Sequence, residues 1–119
     1  MKKLIKSFGF ALKGLGVVLR EQQNMRIHVA AVLLVVILGV WLHLSAIEWA
    51  IIALTFGFVL SAEMLNTAIE DLVNMISPGH HHLAGKIKDI AAGAVLVAAI
   101  TAVIVGVCVL GTKILLLLG

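Results

Sequence analysis

The chain has 119 residues and a formal net charge of +3; 62% of its side chains are hydrophobic and only 13% are charged. Soluble domains lie nearer half apolar and a quarter charged, and a chain this short buries too little surface to hide the excess. This composition excludes an ordinary soluble domain, points to an all-α integral membrane protein, and gives no reason to expect a nucleic-acid partner.

The first 26 residues form the first predicted element. Leu4, Ile5, Phe8, Leu12, Leu15, Val18 and Leu19 recur at three- and four-residue steps, with Lys2, Lys3, Lys6 and Lys13 largely off that stripe. Such a segment suits a helix lying on an anionic membrane surface. A secretory signal fits less well, because Lys13 interrupts the apolar run and no small-residue cleavage site follows.

About 20 apolar residues cross a bilayer as a helix. A first span is expected over 29–47, a second over 49–74 and a third over 87–118, with Lys113 the only charge deep in the last. A soluble bundle would need polar helices to cover these segments, and the chain supplies none. Pro78 and Gly79 mark the one extended break, "SPGHHHLAGK", so 1–119 reads as a single domain. Lys and Arg gather before the first span and at Lys86 and Lys88, while "HLSAIE" has none, which places the N-terminus and the second loop in the cytoplasm. Trp41 and Trp49 bracket the opposite interface. Cys108 has no partner in the chain and implies nothing about redox compartment.

The second span carries the unusual chemistry. Its charge-free run "WAIIALTFGFVL" continues into "SAEMLNTAIEDLVN". On a helix, Glu63, Asn66, Glu70 and Asn74 fall within a sector of roughly 80°, and Asp71 points about 100° away from Glu70. A polar stripe at a membrane edge is a candidate functional site, set against the plainer reading of a solvated helix end. Carboxylates and amides suit Mg²⁺, which takes one or two carboxylates together with substrate phosphates. Lys88 and Asp89, expected to open the third span, could hold a phosphate. Carboxylate, magnesium, lysine and a lipid interface read together as phosphoryl transfer to a lipid hydroxyl. No Walker or kinase-type glycine loop is present. An oligomeric channel and a non-catalytic interaction protein stay open as rival classes.

Other residues have plainer readings. Adjacent side chains in His80-His81-His82 splay apart, so a solvated loop is expected there rather than a metal clip. Arg26 and His28 are expected at the headgroup level, His43 at the interface, and Gly93 with its neighbouring alanines in close helix packing.

"AEMLNTAIEDLVN" followed by "KIKDIAAGAVLV" resembles the signature of the prokaryotic diacylglycerol kinase and undecaprenol kinase family. The likeness extends through "FALKGLGVVLREQQNMRIHVAAVLL" and "IEWAII", and so covers nearly the whole chain. It implies a bacterial cell-membrane homotrimer of three-span protomers, with ATP- and Mg²⁺-dependent sites between protomers on the cytoplasmic side. Residue by residue, it implies Glu63 as the general base, Asn66 and Asn74 as site-ordering residues, and Glu70 as a metal ligand and nucleotide contact. Lys3, Phe10, Gln22, His80, His81, Lys88 and Asp89 fall on nucleotide-contacting positions. Two departures stand out. The family's second metal-ligating Glu is Gln22 here, with Glu21 one place earlier, and Asn74 stands where relatives usually have Asp. "NMRIH" and "IEW" look more like the undecaprenol branch than the diacylglycerol branch.

Overall fold

The computed structural model describes residues 1–119 and contains four helical stretches and no strand. Helix α1 spans Lys2–Glu21, α2 Gln23–Trp41, and α3 Ala46–Ile76. The last stretch, α4, spans His82–Leu118. It is α-helical to Gly106, widens to a π-helical turn over Val107–Gly111, and resumes at Thr112. Helices α2, α3 and α4 are each long and apolar enough to cross a membrane.

Two boundaries described by the structure differ from the sequence expectation. The surface helix ends at Glu21, because Gln22 is extended (φ −110°, ψ 113°) and breaks the hydrogen-bond ladder. Arg26 reinforces the break: its Nη1 donates to the carbonyls of Leu19 (3.1 Å) and Arg20 (2.8 Å), occupying acceptors left open at the end of α1. The third span starts at His82 rather than near residue 87, since His81 Nδ1 accepts from Leu83 N–H at 3.1 Å and caps the first turn. Lys88 and Asp89 therefore lie inside α4, not at its opening.

Helices α3 and α4 form the main hairpin. Ile52, Val59, Asn66 and Val73 are buried on α3, and Ala84, Ala91 and Ala98 on α4, both sets at heptad spacing. The two run antiparallel: Val73 shares a cavity wall with Ala84, Asn66 with Ala91, and Ile52 with Val105. In lipid the attraction between helices comes from close packing, and alanines let the backbones approach. Helix α2 is antiparallel to α3 as well, with Gly39 against Trp49 and His28 opposite Glu63.

The turn between α2 and α3 is tight. His43 adopts the left-handed conformation (φ 57°). Leu44 N–H returns to the Gly39 carbonyl at 3.1 Å. Ser45 and Glu48 form a reciprocal capping box: Ser45 N–H donates to Glu48 Oε1 (2.9 Å) and Glu48 N–H to Ser45 Oγ (3.2 Å). Lys113 Nζ approaches the same carboxylate at 3.1 Å.

Depth along α3 follows from helix rise. At about 1.5 Å per residue, Glu63 lies about 26 Å and Glu70 about 36 Å from Ala46, against a hydrocarbon core of about 30 Å. Glu63 thus sits at the edge of the apolar layer and Glu70 beyond it.

Candidate active site

The polar stripe grades from interior to surface. Glu63 is 1% exposed, Asn66 8% and Thr67 3%. Glu70 is half-buried, whereas Asp71 and Asn74 are exposed. A buried carboxylate needs hydrogen-bond partners or an opposite charge to offset lost hydration. Within this chain Glu63 gets little of either. Thr67 Oγ1 donates to the Glu63 main-chain carbonyl at 3.0 Å, not to the carboxylate. Asn66 Nδ2 donates to Glu70 Oε1 at 3.3 Å, tying the second carboxylate to the stripe. Glu63 Oε2 and Asn66 Oδ1 remain buried without a hydrogen-bond partner. The ionisable group beside Glu63 Oε2 is His28, whose Nε2 lies 3.8 Å away.

The remaining candidates fall into separate groups. His80, His81 and Asp89 line one open cleft of about 600 Å³ with His82, Gly85 and Lys86. Lys88, one residue before Asp89, is half-buried and does not line that cleft. With Nδ1 engaged in the cap, His81 has only Nε2 left for a ligand. Gln22 is half-buried at the break between α1 and α2, whereas Glu21 is exposed on the last turn of α1. Lys3 and Phe10 are exposed on α1.

No group of three or more His, Cys, Asp or Glu side chains in the single chain is arranged to hold a metal ion. The donor set still fits Mg²⁺, a hard cation that keeps several waters and needs only one or two carboxylates beside substrate phosphates. Glu70 engages one carboxylate oxygen with Asn66, leaving the other for such a role.

The sequence places His28 at the headgroup level but gives no sign of its neighbour; the antiparallel pairing of α2 with α3 brings it beside Glu63. Met25, three residues earlier on the same helix, is buried, so this face of α2 turns inward.

Membrane-spanning helices with a buried, incompletely satisfied carboxylate at one edge of the apolar layer define a small integral-membrane protein with a polar site between its helices. The family model for prokaryotic diacylglycerol kinase matches residues 9–110. An undecaprenol kinase of Bacillus subtilis is 43% identical over 109 residues, covering 92% of this chain and 89% of the relative. A diacylglycerol kinase of Synechocystis is 45% identical over 108 residues, covering 90% of this chain but 62% of the longer relative. A diacylglycerol kinase of Escherichia coli is 37% identical over 102 residues, covering 86% and 84%. The chain belongs to the prokaryotic diacylglycerol kinase family, a family of lipid kinases.

Proposed function

We propose that this protein transfers the γ-phosphate of ATP to the hydroxyl of a membrane lipid, with undecaprenol as the preferred acceptor. One observation carries the reading: Glu63 holds a buried carboxylate oxygen without a partner, and helix rise from the opposite boundary puts it near the edge of the apolar layer, where a lipid alcohol presents its hydroxyl. Glu63 Oε2 accepts the hydroxyl proton. The alcohol oxygen bonds to the γ-phosphorus, and the bond to the β–γ bridging oxygen breaks to release ADP. Phosphoryl transfer needs alignment and charge neutralisation more than covalent assistance.

Glu70 would hold Mg²⁺ together with Gln22 or Glu21, and the ion would neutralise phosphate charge. Asn66 keeps Glu70 in place, and Asn74 extends the stripe towards water. Lys88 and Asp89 position the phosphates, and His80, His81, Lys3 and Phe10 contact the nucleotide. The chain sits in the bacterial cytoplasmic membrane with its N-terminus and site facing the cytoplasm, as its basic residues favour. It works as a homotrimer with sites between protomers.

Undecaprenol is favoured because the named undecaprenol kinase matches over nearly its whole length. Diacylglycerol is the second reading, supported by the 45% identity to a diacylglycerol kinase. Purified protein, given γ-labelled ATP and each lipid under matched detergent conditions, should show higher kcat/KM with undecaprenol. A tenfold preference for diacylglycerol, about 1.4 kcal/mol in transition-state binding, reverses the choice. No labelled lipid from either alcohol removes the kinase reading. Gln22→Glu should lower the Mg²⁺ requirement. If Glu21→Ala abolishes metal dependence and Gln22→Ala has no effect, Glu21 is the ligand.

A further inference from the structure

We propose that His28 is a substrate-positioning residue: its Nε2–H donates to the oxygen of the lipid hydroxyl while Glu63 Oε2 accepts that hydroxyl's proton. The proposal rests on Glu63 as the base and adds a second contact to the same oxygen.

The geometry has three parts. His28 Nε2 and Glu63 Oε2 are 3.8 Å apart, too far for a direct hydrogen bond. An oxygen about 2.7 Å from each would see them at about 90°, tighter than the roughly tetrahedral spread of a hydroxyl's donor and acceptor directions, so the pair parts slightly to admit one, as the burial of Oε2 also requires. Glu63 Oε2 has no other partner, and nearby donors are committed: Thr67 to the Glu63 main chain and Asn66 to Glu70. The His28 side chain is 20% exposed and that of Glu63 2%, so the histidine is the side of the pair that a ligand can reach.

The chemistry suits an alcohol. A hydroxyl both donates and accepts, so it satisfies an imidazole N–H and a carboxylate together. An ether or ester oxygen could accept from His28 but has no proton for Glu63. The pair therefore selects the free hydroxyl of the lipid, whatever its tail.

Full-length His28→Ala, assayed in lipid–detergent micelles, should raise the KM for the lipid alcohol roughly tenfold or more and leave the KM for ATP unchanged. His28→Gln, which retains a side-chain N–H donor, should recover part of the loss. Unchanged lipid KM and kcat in His28→Ala overturns the proposal. So does a parallel rise in both KM values without recovery in His28→Gln, which is the pattern of a purely structural residue. If the bridging oxygen belongs to water, His28→Ala will instead lower lipid-free ATP hydrolysis and leave the lipid KM alone, which also overturns it. The unsubstituted protein supplies a second measurement should the variants fail to assemble. Its ¹⁵N-histidine spectrum should show one Nε2 resonance moving when undecaprenol is added, but not with an analogue lacking the hydroxyl, and equal responses count against the assignment. Glu63→Gln keeps the two readings separate: if it stays fully active the kinase base is misassigned, and if it is inactive while His28→Ala behaves as wild type, only the role of His28 fails.

Discussion

The start of α3 and the region around Glu63, near its middle, follow opposite rules. At the Ser45 end the local polar groups close on one another: the capping box joins Ser45 to Glu48, and Lys113 neutralises the same carboxylate. Around Glu63, a nearly fully buried carboxylate and a buried amide each keep an oxygen without a partner. Unsatisfied buried polar atoms cost stability, and natural proteins carry few of them. The first region is closed on itself, and the second leaves polar atoms free for the proposed site. Substitutions should therefore separate into losses of activity with the fold intact and losses of stability with the chemistry intact.

The largest effect is expected at Glu63. Glu63→Gln preserves shape but removes the proposed base, and should lower kcat by roughly 10²–10⁴ while the purified protein keeps its helical content. Near-wild-type turnover in that variant would erase the contrast between the two regions. Glu70→Gln comes next. It should raise the Mg²⁺ concentration needed for half-maximal activity, since a ligand charge is lost, and a metal titration at saturating lipid measures the change.

Stability losses belong to the Ser45 end. A Cβ at Gly39 would fall 2.6 Å from Trp49 Cη2 and 2.9 Å from Leu44 Cδ1, closer than packed atoms approach. Gly39→Ala should destabilise the α2–α3 turn by about 1–3 kcal/mol, read as a lower thermal midpoint in detergent, with kcat of the folded fraction retained. Ser45→Ala removes one arm of the capping box and should cost about 1 kcal/mol. The smallest shift is expected from Lys113→Met, because a single partly exposed ion pair contributes little and Glu48 keeps its capping-box bonds. Should Lys113→Met abolish activity, the Ser45 end is not a purely structural anchor.

Much of this was legible in the sequence. The spans follow from apolar runs, and the stripe from offsets of three, four and seven residues on one helix, all of which are local properties. Burial grades along that stripe from Glu63 to Asn74, which its spacing could not show. The break at Gln22 escaped notice because neither Gly nor Pro marks it, and a side chain from the next helix, Arg26, reinforces it. The early start of α4 was hidden in three histidines read as solvated loop, one of which serves as a cap. The approach of His28 to Glu63 depends on the register between two helices, and local periodicity carries no information about that.

The π-helical turn at Val107–Gly111 bears on how this chain can vary in length. Such a turn accommodates one residue more than an α-helix would, and shifts everything after it by about 100°. Lys113 follows that offset, so its meeting with Glu48 depends on how many residues precede it as well as on what it is. A single-residue deletion within Val107–Gly111 would let the turn close to a regular α-helix and keep the lysine facing Glu48, whereas closing the turn without a deletion would rotate it about 100° away. For this stretch, counting residues is as informative as comparing them.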